Sequence, residues 1–410
     1  MDIQKAEWSI KRHLQRLSAF TATPGAGVTR LPFTPPARAA AEYLLAAMCA
    51  AGLEAAIDPS GAVSGIRRGV SNKRIVVGSH YDSVPSGGAF DGVAGIACAL
   101  AIAEQLAEAE ETPPLTLEVL ATNDEEGARF LSGYFSARAL TGELTPEDLL
   151  WRDASGISVR RAMENFGLAP DDALSCAWPK GLAEAYVEIH VEQGPVLESL
   201  GREIGVVEGI VGIERRRIRI EGRPDHAGTA PMSGRRDALR HALSVAGAAY
   251  EAAESRPGTV ATVGALEVFP GAVNVVPERA ILSLDVRSTD PASIAAVIGQ
   301  AEAVAERACG ERGFSIERTL SVSPTPMDPE LTALLEAHCV RRGASVHRMY
   351  SGAGHDALIM ARHVPAAMLF VPSRGGRSHC PEEWSDCAHL ALAAAGVYDL
   401  IREFGKEAVI

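Results

Sequence analysis

Five places in this chain set histidine or carboxylate side chains in tight loops: His80 with Asp82, then Asp91, Glu125-Glu126, His190 and His379. His80, Asp82 and Asp91 share one stretch, Gly78-Ser79-His80-Tyr81-Asp82-Ser83-Val84-Pro85-Ser86-Gly87-Gly88-Ala89-Phe90-Asp91-Gly92, stiffened by glycine and proline. Imidazole and carboxylate together suit zinc, and also manganese or cobalt. Two such ions about 3.5–4 Å apart need a bridging carboxylate and terminal ligands on each side. A further carboxylate must stay free to carry protons. The inventory holds all of these. A single loop of this kind also occurs as a plain surface turn, and no individual spacing proves a site; no His-Glu-x-x-His helix is present. The weight lies in the loops taken together.

Each of these residues must be delivered by a strand end or a loop. Ile75-Val76-Val77 predicts a buried strand over 74–79, and the apolar run after Gly92 a helix over 91–110. A strand is expected over 115–121, ending at Asn123-Asp124-Glu125-Glu126-Gly127, with a helix over 129–139. A strand over 185–191 leads into the His190 loop, a short helix follows over 195–200, and a strand over 366–371 precedes His379. This alternation predicts an α/β fold, a sheet with helices on both faces. Ligands in such folds sit beyond the carboxyl ends of the strands. Around this frame the pattern predicts an amphipathic helix over 3–20 with Trp8, Ile10, Leu14 and Leu17 on its apolar side. It also predicts a helix from Thr34-Pro35 to Ala51, a hairpin over 53–68, mostly helical structure over 145–178, and helices over 329–343 and 388–404.

The texture changes near Gly212. Strands over 214–221, 259–269, 280–287 and 314–320 and helices over 235–254 and 291–309 follow in β-α-β-β-α-β order. Residues 213–324 are therefore expected to form an inserted second domain, with Pro324-Thr325-Pro326 as the return. The first domain is discontinuous, built from 1–212 and 325–410.

A length of 410 residues fits two domains, and a 47% hydrophobic fraction supplies their cores. A net charge of -13 argues against nucleic acid or an anionic membrane as partner. No apolar run reaches membrane-spanning length, and the first residues do not follow a signal-peptide pattern. The seven cysteines (49, 98, 176, 309, 339, 380 and 387) form no CxxC pair, which predicts a reduced, cytoplasmic protein. Arg215-Arg216-Arg217 and Arg235-Arg236 are expected on solvent-facing surfaces. No phosphate-binding glycine loop or nucleophile elbow is present.

The sequence resembles the amidohydrolase branch of the dinuclear-metal aminoacylase and carboxypeptidase-like peptidases, which includes N-carbamoyl-L-amino-acid hydrolases, beta-ureidopropionases and allantoate amidohydrolases. The marks run through nearly the whole chain: Gly78-Ser79-His80-Tyr81-Asp82, Gly87 to Gly92, Glu125-Glu126-Gly127-Ala128-Arg129-Phe130 and His190-Val191-Glu192-Gln193-Gly194-Pro195. They continue with His226-Ala227-Gly228-Thr229-Ala230-Pro231-Met232, Pro270-Gly271-Ala272-Val273-Asn274, Ser351-Gly352-Ala353-Gly354-His355-Asp356 and the His379 loop. Ala89 departs from the Arg or Lys common in this branch, which alters the surroundings of the loop without touching the expected ligands.

The resemblance implies two divalent ions per subunit, Zn2+, Mn2+ or Co2+. It makes Asp91 the bridge and His80, Glu126, His190 and His379 the remaining ligands. Glu125 becomes the general base, against the bland alternative of an acid flanking a helix start. Asp82 becomes a carboxylate that orients and tunes His80. His226 is expected to reach the active site of a neighbouring subunit and stabilise the oxyanion, which implies a homodimer. Arg287 and Asn274 are expected to hold a substrate carboxylate, with Gln193 and His355 as further substrate contacts. The inserted domain takes a lid and dimerisation role. The implied reaction is hydrolysis of a small N-carbamoyl-L-amino acid to the amino acid, ammonia and carbon dioxide. Allantoate is the alternative, an N-acyl amino acid or peptide comes third, and a catalytically silent binding protein is the reading from another class.

Overall fold

The computed structural model describes residues 1–130, 132–310 and 313–405. The chain divides into two compact units, one of 1–208 with 326–410 and one of 209–325.

The first unit is built on one mixed sheet. Its strands run in the order Glu54–Ile57, Val63–Arg67, Leu115–Thr122, Ser71–His80, Ala183–Val191, Ala366–Val371, Ile204–Ile210, with Val346–Ser351 beside the last. Four central strands are parallel: Ser71–His80 pairs with Leu115–Thr122 and Ala183–Val191, and Ala183–Val191 with Ala366–Val371. Every residue of Leu115–Thr122 and of Ala366–Val371 is buried, as expected where both faces of a parallel sheet are covered. Helix Val93–Glu108 is nearly all apolar and buried around most of its circumference, against helices Ile3–Ser18 and Cys387–Glu403 and strand Ser71–His80. Truncating a core side chain such as Leu100, which is fully buried, costs about 2–5 kcal/mol.

Parallel pairing fixes where the chemistry falls. His80 lies opposite Thr122 and Phe370 opposite His190, so the loops carrying Asp91, Glu125-Glu126, Gln193 and His379 all leave the same edge of the sheet. That edge is the carboxyl end of the parallel strands, the expected place for a ligand.

The second unit pairs its strands in the order Phe314–Val322, Gly212–Glu221, Arg279–Ser288, Val260–Thr262, with Leu266–Phe269 also on Arg279–Ser288. Alternation sends Ile218, Ile220, Leu282, Leu284 and Val286 into a core with helices Ala238–Glu254 and Pro291–Cys309. Asp285 and Arg287 fall on the other face.

Several expectations need correction. Trp8 is 64% exposed, so the buried stripe of the first helix is Ala6, Ile10, Leu14 and Leu17. The helix expected over 129–139 begins only at Phe135, because Tyr134 takes a left-handed φ of 62° and Glu125 O accepts its N–H; Leu131 lies outside the described residues. The strand expected over 259–269 is two short strands separated at 263–265. Residues 145–178 hold only short helical pieces, Pro146–Leu150, Val159–Phe166 and Pro170–Ser175. Strands Ile204–Ile210 and Val346–Ser351 were not anticipated. Arg235 precedes its helix, which starts at Ala238, and instead donates to the carbonyls of Ala227 and Ala230, while Arg216 turns inward to Glu214. No described helix is long and apolar enough to cross a membrane.

Candidate metal centre

His80 closes its strand with the ring buried. Its Nδ1 lies 3.2 Å from the Asp82 carbonyl oxygen and 3.6 Å from Asp82 Oδ1. Its Nε2 lies 3.7 Å from Asp91 Oδ1 and 4.0 Å from Glu125 Oε2. Gly92, at φ 65°, lets the next helix start directly against this ring; a Cβ there would fall 2.4 Å from His80 O and 2.5 Å from the ring.

The His190 Nδ1 proton goes to the carbonyl of Val191 at 2.9 Å, which assigns Nε2 as the acceptor nitrogen. That acceptor faces Asp91 Oδ1 at 3.2 Å and His80 Nε2 at 3.4 Å. On the other side of Asp91, Oδ2 lies 3.1 Å from His379 Nε2, which in turn lies 3.4 Å from Glu126 Oε1.

Two donor groups meet at Asp91: His80, Asp91 and His190, and Asp91, Glu126 and His379, the ligand atoms within each lying within 4.8 Å of one another. Asp91 belongs to both, with one oxygen turned to each. The residues fit a pair of divalent ions: the donors are imidazole nitrogens and carboxylates, lone pairs converge from several sides, and buried Glu126 Oε1 accepts no hydrogen bond.

Crowding of charge in this buried space shifts the titrations. Burial alone would raise the Asp91 carboxyl, but the facing imidazoles of His190, His379 and His80 hold it well below its usual range. Burial, with Glu126, Asp356 and Asp82 nearby, raises the Glu125 carboxyl well above the usual range. Burial and the Asp91 charge push Glu126 to about 8. Its hydrogen bond to Asp91 raises His379 to about 9.

Asp82 does more than face His80. Its Oδ1 accepts the backbone N–H of Glu125 at 3.1 Å and its Oδ2 that of Glu126 at 3.3 Å. Gln193, at φ 60°, turns its side-chain amide onto the same cluster, with Nε2 3.3 and 3.4 Å from the Asp91 oxygens and 3.3 Å from His379 Nε2. His355 is buried with its ring centroid 4.5 Å from that of His190 and its Nε2 2.9 Å from Ser351 Oγ. His80, Asp82, Asp91, Glu125, Glu126, His190, Gln193, His355 and His379 thus lie in the first unit.

His226, Asn274 and Arg287 lie in the second. His226 and Asn274 sit on neighbouring loops, where Asn274 O accepts the N–H of Ala227 at 2.9 Å and both side chains are exposed. Arg287 stands at the other end of strand Arg279–Ser288, opposite Ile213, with its Nε 2.9 Å from Asp285 Oδ1. Eight residues of extended strand separate Arg287 from the Arg279 end, roughly 26 Å.

Sequence reasoning missed two buried supports. Glu188 Oε1 accepts the Ser79 hydroxyl at 2.8 Å and Oε2 the N–H of Ala357 at 3.1 Å, and it forms a donor group with His190 and His355. Its signal was a lone acid in an apolar strand, two residues before His190. Arg30 is fully buried and donates to the carbonyls of Tyr81 and Leu17; burial lowers it to about 10. Nothing in its Thr/Gly/Pro-rich loop marked it.

Known proteins are similar to this chain over most of its length. A family model described as Peptidase family M20/M25/M40 matches residues 76–403. The N-carbamoyl-L-amino-acid amidohydrolase of Paenarthrobacter aurescens is 41% identical over 398 residues, covering 94% of this chain and 95% of that protein. The allantoate amidohydrolase of Bacillus subtilis is 34% identical over 399 residues, 96% of each. The crystal structure of an amidase of the hydantoinase/carbamoylase family from Burkholderia multivorans superposes with a TM-score of 0.89 at 29% identity over 97% of both chains. With the match spanning the loops from His80 to His379, the chain belongs to peptidase family M20/M25/M40.

Proposed function

We propose that this chain hydrolyses a carbon–nitrogen bond of a linear ureido or amide compound at a pair of divalent cations, with N-carbamoyl-L-amino acids as its substrates. The observation that carries this reading is the sharing of Asp91 between two donor groups, with the carboxylate of Glu125, a member of neither, beside His80. When bound, such ions polarise a carbonyl and acidify water.

The chain's own residues account for the remaining work. His80 and His190 would hold one ion and Glu126 and His379 the other, with the Asp91 carboxylate available to both. Glu125 takes a proton from the attacking water as its oxygen bonds to the substrate carbonyl carbon. It returns that proton to the departing nitrogen as the C–N bond breaks. Its buried surroundings and the neighbouring carboxylates raise its affinity for a proton above that of a free carboxylate, which strengthens it as a base.

His226 serves as oxyanion donor in the metal centre of a neighbouring subunit. The Gly228 N–H points to its Nδ1 at 3.1 Å, which leaves the proton of the neutral ring on Nε2, and Arg235 fastens the same loop. Asn274, on the loop beside His226, is assigned with it to that neighbouring site, and Arg287 is assigned to the substrate carboxylate. The opposite placement of Asn274 and Arg287 along the second unit's sheet supports this division. Gln193 holds the Asp91 carboxylate and meets the ureido group, and His355 backs His190. The second unit acts as lid and dimerisation domain, with hinges near Gly212 and Pro324, close to where the chain enters and leaves it. Seven free thiols support a cytoplasmic location.

Relatives of both names leave allantoate as the second substrate to try. Ammonia release is measured from N-carbamoyl-L-amino acids and allantoate, with protein loaded with zinc, manganese or cobalt. Turnover of the carbamoyl compounds that Glu125→Gln abolishes is expected. Preference for allantoate would keep the mechanism and change the substrate; release from neither would refute the ureido reading.

A further inference from the structure

Glu383 follows His379 by four residues and is buried, 3% exposed. Its carboxylate joins two loops almost three hundred residues apart in sequence. Oε1 accepts the backbone N–H groups of Phe90 at 3.0 Å and Asp91 at 2.9 Å. Oε2 accepts the hydroxyl of Ser378, the residue before His379, at 2.5 Å. Ser378 Oγ also lies 3.2 Å from Gln193 Nε2, the same nitrogen that reaches both Asp91 oxygens. The hydrogen bonds therefore close a ring from the Asp91 backbone through Glu383, Ser378 and Gln193 to the Asp91 carboxylate.

The ring depends on a close approach. A Cβ at Gly88 would fall 2.0 Å from Glu383 Oε1, so the loop before Asp91 reaches this carboxylate only as glycine. Glu383 belongs to neither donor group around Asp91, nor to any other among the described residues. Its action on the centre is therefore through the residues it holds.

We infer that Glu383 is a positioning residue for the second ion: by holding the Asp91 backbone and the Ser378 hydroxyl together, it sets the reach between Asp91 Oδ2 and His379 Nε2. The group of His80, Asp91 and His190 has two of its three members outside this clamp and is less dependent on it. This inference rests on the two-metal reading above.

The test is metal occupancy, independent of turnover. Wild type, Glu383→Ala, Glu383→Gln and Ser378→Ala are stripped and titrated with Co2+. Bound ions are counted by elemental analysis, and the visible cobalt band and far-UV circular dichroism are followed. Wild type should bind two ions. Glu383→Ala should keep one and lose at least about tenfold in affinity for the other, the usual scale for a residue supporting a metal ligand. The Gln variant, whose carbonyl can still accept the Phe90 and Asp91 N–H groups, should recover most of that loss. Ser378→Ala severs only one arm and should show a smaller loss at the same ion, which keeps the test open if Glu383→Ala does not fold. Two ions bound as tightly in folded Glu383→Ala as in wild type would overturn the clamp alone, as would unchanged binding in Ser378→Ala with an unfolded Glu383→Ala. Fewer than two ions in wild type would instead overturn the two-metal reading beneath it.

Discussion

The Asp82 carboxylate accepts the backbone N–H of Glu125 at 3.1 Å, although the two residues arrive on different strands. The same carboxylate takes the N–H of Glu126 and lies 3.6 Å from the His80 ring. One buried acid therefore aligns the proposed base, one proposed ligand and the ring of another. Asp82→Asn keeps the size but turns an amide NH2 toward at least one of these donors. We expect a loss of about 10- to 100-fold in metal affinity or activity with the fold retained. Metal titration and circular dichroism check it; full metal affinity and turnover in the Asn variant would contradict this role.

Glu125 belongs to the donor group of His80, Glu125 and Glu126 but to neither group around Asp91. Glu125→Gln should keep two ions and lower kcat by about 10²- to 10⁴-fold, the usual worth of a general base, with KM little changed. Elemental analysis beside steady-state kinetics separates this from a ligand role, in which metal content would fall as well.

In the metal-free protein Glu126 is raised to about 8 and His379 to about 9, so both hold protons at pH 7. Ion binding must expel them, and affinity should rise with pH from 7 toward 9. The sign for stability of the metal-free fold is the reverse. Both folded values exceed the ordinary 4.5 and 6.5, so what these groups contribute is full at low pH and is lost as pH climbs through 8 and 9. Calorimetry of ion binding at pH 7 in two buffers of different ionisation heat measures the protons released. Identical heats in both would contradict the expectation.

If His226 serves a neighbouring subunit, two inactive variants should complement each other. Mixing His226→Ala and Glu125→Gln after dissociation makes heterodimers in which one centre has its own Glu125 and the other chain's His226. Random pairing restores about a quarter of wild-type sites. If His226 acts within its own chain, mixing restores nothing.

The sequence by itself determined the donors and the strands that deliver them. His80, Glu125, Glu126 and His190 stand at or just past the ends of short apolar runs, and strand Ala366–Val371 and helix Pro291–Cys309 run as their patterns predict. These features are local: burial on both faces leaves a continuous apolar run, and Pro after Asp290 starts a helix that Asp290 caps. Tertiary structure decided what depends on partners distant in the chain. Which donors group around each oxygen of Asp91 follows from parallel pairing of strands about a hundred residues apart. That Asp82 holds two glutamates, that Arg30 is buried behind Tyr81, and that Trp8 faces outward are outcomes of packing that no local pattern encodes. The separation of Asn274 from Arg287 is of the same kind. Thirteen positions apart in sequence, they stand at opposite ends of the second unit's sheet because a strand rises about 3.3 Å per residue and Arg279–Ser288 runs without a turn between them.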